Sequence, residues 1–133
     1  MKKDITFYKA EDVGVAIVPE SDTNSTEWMA YLLNTSANML EGVIVSSSGY
    51  GIMDQKEIKT STLRQFFERV EPGQAVKIEM VDEKVFGLNN EFWISFWLHG
   101  QMYERKIVFL PGSITEDYFT QIPILNIRGV LIL

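Results

Sequence analysis

The segment that decides the fold is Glu91-Phe92-Trp93-Ile94-Ser95-Phe96-Trp97-Leu98-His99, followed by Gly100-Gln101 and then Met102-Tyr103-Glu104-Arg105-Lys106-Ile107-Val108-Phe109-Leu110. Side chains alternate across a strand with a period of two. On that period Phe92, Ile94, Phe96 and Leu98 share one face with Tyr103, Arg105, Ile107 and Phe109, a core face with one polar intruder, Arg105. The other face gathers Trp93, Ser95, Trp97 and His99 with Met102, Glu104, Lys106 and Val108. Gly100-Gln101 suits a tight hairpin turn. Two such strands cannot bury their apolar face alone, so a second layer is required.

Outward from this hairpin, short apolar runs recur between turn residues. Val13 to Val18 reads as a strand stopped by Pro19, Glu27 to Asn34 as a second, and Met39 to Ser46 as a third. Ser46 to Asp54, rich in serine and glycine, reads as a loop. Thr60 to Val70 admits two readings. Leu63, Phe66, Phe67 and Val70 have helical spacing, but Pro72-Gly73 and a regular strand, Ala75 to Val81, follow directly, and a strand suits an all-β chain. Ser113 and Glu116 have capping-box spacing and predict one helical turn over Ile114 to Phe119. The chain closes on Leu125 to Leu133, apolar on both faces, as expected of a strand covered on both sides. The expectation is a single, mainly β domain over residues 1–133: an antiparallel two-sheet sandwich of about seven or eight strands, immunoglobulin-like, with at most one or two short helical turns. A closed barrel is the alternative.

The bulk properties are those of an ordinary globular domain. Of 133 residues, 46% are hydrophobic and 23% charged, which argues against disorder. With no cysteine, disulfides, zinc-thiolate sites and cysteine nucleophiles are excluded. A net charge of −6, with 12 scattered lysines and arginines, does not provide the basic stripe that nucleic acid demands. Lysines interrupt the N-terminal Met1-Lys2-Lys3-Asp4-Ile5-Thr6-Phe7-Tyr8-Lys9, and apolar runs fall far short of a membrane span, so the reading is a cytoplasmic protein without membrane contact.

Candidate chemistry is sparse. His99 is the only histidine and would have to be the base of any Ser-His-Asp triad, yet it flanks a tight turn as ordinary polar residues do. Ser46-Ser47-Ser48-Gly49-Tyr50-Gly51 fits neither a phosphate-binding loop nor a nucleophile elbow. Ser48, Gly49, Tyr50 and Arg64 are kept as a minor candidate group. The adjacent pairs Asp82-Glu83 and Glu116-Asp117 point to opposite faces if extended, so they do not converge on one bond. The candidate binding surface is the mixed hairpin face: Trp93, Trp97, His99, Met102, Glu104 and Lys106. It points to a non-enzymatic binding or assembly module whose partner is another protein or a second copy, as in a homodimer. A small-ligand or carbohydrate-binding domain is the alternative, and a small carboxylate hydrolase comes third.

Several segments resemble a family of short uncharacterised proteins from Bacteroidetes-type bacteria. They are Met1-Lys2-Lys3-Asp4-Ile5, Val43-Ile44-Val45-Ser46, Gly49-Tyr50, Thr60-Ser61-Thr62-Leu63-Arg64, Lys77-Ile78-Glu79, Leu88-Asn89-Asn90-Glu91-Phe92 and Arg128-Gly129-Val130-Leu131. Similar chains sometimes carry the label of an aminoacyl-tRNA synthetase α-subunit, but a synthetase core needs an ATP site and a basic tRNA-binding surface that this sequence lacks. The resemblance implies recurring local structure at Gly49-Tyr50, Thr60 to Arg64 and Asn89-Asn90, and no functional residue. With no cysteine and one histidine, folding should need no metal or cofactor: circular dichroism spectra recorded with and without a chelator are expected to coincide.

Overall fold

The computed structural model describes residues 12–20 and 27–133. Among these residues ten strands form two antiparallel sheets. They are β1 (Val13–Pro19), β2 (Glu27–Asn34), β3 (Leu40–Met53), β4 (Lys56–Lys59), β5 (Leu63–Val70), β6 (Gln74–Asp82), β7 (Asn89–Leu98), β8 (Gln101–Phe109), β9 (Thr120–Gln121) and β10 (Arg128–Ile132). The first sheet has the order β6-β2-β1-β10-β9. In the second, β3 pairs with β7 on one side, β7 with β8, and the other side of β3 is shared end to end by β4 and β5. The two sheets are separate and do not close into a barrel. β1, β2 and β6 face β3, β7 and β8, as in a β-sandwich. Here β5 lies beside β3, and β10 is added against β1.

Hydrophobic alternation builds the core. Ile94 and Phe96 of β7 are fully buried, against Val13, Val15 and Ile17 of β1 and Ala30 and Leu32 of β2 in one cluster. Trp28 closes one end, edge-on to Phe86 at 5.1 Å and Phe119 at 5.8 Å between ring centroids, with its indole N–H donating to Glu83 Oε1. The intruder Arg105 is reconciled by reaching across the sandwich, Nη1 donating to the Val13 carbonyl at 2.7 Å. The outer face of the first sheet is covered too: Ala16, Val18, Met29, Leu33 and Ile122 form a second buried cluster. This explains why Val13 to Val18 is apolar throughout while β7 alternates. Gly129 allows β10 to lie close on β1, since a Cβ there would stand 2.7 Å from the Ile17 carbonyl.

Several sequence expectations are corrected. Ser46 to Asp54 is no loop: β3 continues to Met53. Its Val43, Val45, Ser47 and Gly49 point inward, and ladders on both edges satisfy the backbone, which outweighs the low strand propensity of serine and glycine. Tertiary pairing likewise settles 63–70 as a strand, with Phe67 packed on the core and Phe66 facing out. The hairpin turn is His99-Gly100, both with positive φ, rather than Gly100-Gln101. Trp97 therefore pairs with Met102 where His99 was expected. A shift of two leaves every side chain on its expected face, because the side-chain period is two. The helical turn shrinks to a single 3-10 turn at Glu116–Tyr118, since Ser113 Oγ donates to the Leu110 carbonyl instead of capping. A second 3-10 turn, Glu83–Val85, was not anticipated. The closing strand is confined to Arg128–Ile132, because Ile124 and Asn126 adopt positive φ.

Truncating Phe96 to alanine should destabilise the domain by about 3–5 kcal/mol, as for fully buried aromatics. Trp97, 46% exposed, should cost clearly less in the monomer. Denaturant titration of the two variants measures the difference.

Candidate functional site

Two features stand out on this scaffold. The first is the outer face of the second sheet. The ladders set its side chains in rows: Arg64, Ser46, Trp93 and Lys106 in one, and Phe66, Ile44, Ser95 and Glu104 in the next. Glu41, Trp97 and Met102 follow. Gly42, with φ at 55°, makes this possible. It shifts the β3–β7 register so that Leu40 and Val43 both turn inward, and it lies under Trp97, whose Cδ1 a Cβ would meet at 3.2 Å. Phe66 is 65% exposed, and Trp93, Trp97, Met102 and Ile44 are also exposed. Trp93 is held on one side: its N–H donates to Glu104 Oε2 at 3.3 Å, and Lys106 Nζ lies 5.7 Å from its ring centroid.

Of the residues proposed from sequence, Trp93, Trp97, Met102, Glu104 and Lys106 come together on this face. His99 does not, because it occupies the turn beyond the ladder. Ser48, Tyr50 and Arg64 belong to the outer face, with Tyr50 donating to Glu91 Oε1 at 3.2 Å. Gly49 turns the other way, under Thr60 and Leu88. Phe66 and Ile44 were missed, since the pairing of β3 with β7 sets Ile44 beside the tryptophans and that of β5 with β3 adds Phe66.

The second feature is a cleft of about 280 Å³ between the sheets. The short link Glu71-Pro72-Gly73 holds the ends of β5 and β6 together. Asn34 fastens it: its side-chain N–H groups reach the carbonyls of Val70 and Glu71, and its own carbonyl accepts from Gly73 N at 2.8 Å. Away from this link the two edge strands diverge. Thr60, Ser61 and Leu63 stand on one side, Glu79 to Asp82 on the other, and Ser47, Asn90 and Phe92 belong to its lining.

A bulge puts a carboxylate into this cleft. Ala30 pairs with Glu79 and Tyr31 with Lys77, so Ile78 is left without a partner. The extra residue changes the phase of β6, and Glu79 takes the inward face beside Ala30. There it accepts a hydrogen bond from Ser47 Oγ of the opposite sheet. Burial pushes the Glu79 carboxyl above its ordinary range, opposed by the Ser47 hydrogen bond. Thr60 Oγ1 accepts from Gly49 N at 2.8 Å, and Asn90 donates to the Val85 and Leu88 carbonyls. Among the described residues no cluster of potential metal ligands occurs, and no helix is long and apolar enough to cross a membrane.

Compared with known proteins, the chain matches no family model and no curated protein.

A carboxyl raised by burial favours the folded state when protonated. That contribution is present below the ordinary carboxylate range and is lost as pH rises through the raised value. Glu79→Gln keeps an acceptor for Ser47 without the charge. Its melting temperature relative to wild type should therefore be higher at about pH 7 than at about pH 4. Thermal melts at both values check this, and an unchanged difference would show that Glu79 titrates as an ordinary surface carboxylate.

Proposed function

We propose that this domain is a non-enzymatic assembly module that pairs with a second copy of itself through the outer face of its second sheet. The observation that carries the reading is the group of large apolar side chains, Phe66 and Ile44 in one cross-strand row and Trp97 and Met102 in the next, exposed on a sheet whose inner face packs on the core. Monomeric surfaces seldom leave such a patch open. Tryptophan at the centre of a charged surround is the usual composition of an interaction surface.

The mixed charge of the face is compatible with a second copy as the occupant. The molecule as a whole carries −6, but this face mixes Arg64 and Lys106 with Glu41 and Glu104. A two-fold axis along the strands lays β5 of one copy over β8 of the other. That arrangement uses one patch twice. Four strands by about eight residues span roughly 500 Å² in projection. The pair would bury about 1,000 Å², the lower bound of a specific interface. Lys106 occupies a face of Trp93 on which a sugar ring would stack, so protein contact is favoured over carbohydrate.

Light scattering at about 100 µM should give a dimer mass, falling to monomer mass on dilution to about 1 µM, as for a micromolar dissociation constant. The double variant F66S/W97S should be monomeric throughout with an unchanged circular dichroism spectrum. A wild-type monomer at the higher concentration, or a dimer that survives the double substitution, would overturn the proposal.

A further inference from the structure

The inter-sheet cleft has the makings of a binding site separate from the assembly face, being on the opposite side of the second sheet. Its volume of about 280 Å³ lies just under the range of drug-sized sites and suits a smaller molecule. The walls divide by chemistry. Leu63, Val81 and Val85 supply apolar surface, Thr60 and Ser61 supply hydroxyls, and Glu79 supplies a carboxylate. Among the described residues no lysine or arginine lines it, so no internal cation neutralises Glu79. The inward carboxylate is not an accident of strand alternation. The bulge sets Ile78 and Glu79, neighbours in sequence, both on the inward side, whereas regular alternation would send them to opposite faces.

We propose that this cleft binds a small primary amine, whose ammonium group pairs with Glu79 and whose carbon skeleton lies on Leu63, Val81 and Val85. A single carboxylate in partly desolvated surroundings prefers a cation that also donates hydrogen bonds. The apolar walls select an organic ammonium over a hydrated metal ion, which needs several oxygen ligands at once. An anion would meet Glu79 and Asp82 with nothing to offset them.

The test is a titration of the full chain, followed by amide chemical shifts in nuclear magnetic resonance. The probe is phenethylammonium, with phenethyl alcohol and hydrocinnamate as its neutral and anionic counterparts. Saturable shifts are expected at Ser47, Gly49, Thr60 and Asn90, with a dissociation constant on the order of 1 mM for so small a ligand. The neutral and anionic compounds should bind at least about tenfold more weakly. Glu79→Gln should weaken the amine by about tenfold or more, while Ser47→Ala, which keeps the carboxylate, should retain it within about threefold. Shifts that do not saturate, equal binding of the three compounds to the wild-type chain, or an amine affinity indifferent to Glu79→Gln would overturn the proposal.

Discussion

The burial of Phe92, Ile94, Phe96 and Leu98 is the constraint on which the rest of the molecule depends. These four side chains alternate along β7 and are almost wholly removed from solvent. Covering them with β1 and β2 supplies the hydrophobic free energy of the fold, at about 25 cal/mol per Å² of apolar surface removed from water. It also fixes the orientation of everything on the far side of the strand. Once Ile94 and Phe96 point inward, Trp93 and Trp97 must point outward, because neighbouring side chains in a strand cannot share a face. The exposed face is therefore a geometric consequence of the core. Its composition is not, and that is where a functional reading begins.

The two sheets differ in how they meet this constraint. The first is covered on both faces, and its central strands are written in continuous apolar residues, Val13 to Val18 and Met29 to Leu33. The second is covered on one face, and its strands alternate. Nothing in the packing of the second sheet requires Phe66, Ile44 or Trp97 to be apolar, since serine and threonine would serve the ladder as well. The aromatic row thus adds nothing that the inner face needs.

How much of this was legible follows from what each feature depends on. Strand positions and faces depend on local alternation, and Glu27 to Asn34 was placed residue for residue. The face assignment at the hairpin survived even a misplaced turn, because an error of two residues preserves parity. Ser46 to Met53 was misread because serine and glycine signal loops locally, whereas this stretch is held by partners on both sides that are distant in sequence. The part of the outer patch on β7 and β8 was visible as Trp93, Trp97, Met102, Glu104 and Lys106. Phe66 was hidden behind the helical spacing of 63–70, and Ile44 behind a pairing of β3 with β7 that one strand's sequence does not show. The cleft was invisible for a different reason. It depends on two edge strands diverging and on a bulge at Ile78, and neither leaves a signature in one strand's sequence. The readings of residues 1–11 and 21–26 lie outside the described residues.

The buried polar groups separate into two kinds. Asn34 is fully enclosed, and its side chain is satisfied throughout: it donates to the carbonyls of Asn38, Val70 and Glu71 and accepts from the amide and hydroxyl of Ser36. Such a residue joins the β2–β3 and β5–β6 connections, and its cost of burial is offset by its own bonds. Asn90 donates to two carbonyls in the same manner. Glu79 differs. It carries a charge where burial opposes one, and the hydrogen bond from Ser47 only partly offsets that opposition. A leucine or valine at this place would extend the cluster of Val81 and Ile78 at no electrostatic cost, since a partly buried charge is disfavoured by desolvation. Stability therefore explains Asn34 and Asn90 and does not explain Glu79. The divergence of β5 from β6 gives that carboxylate access to solvent, so a group whose burial is opposed is also one a ligand can reach.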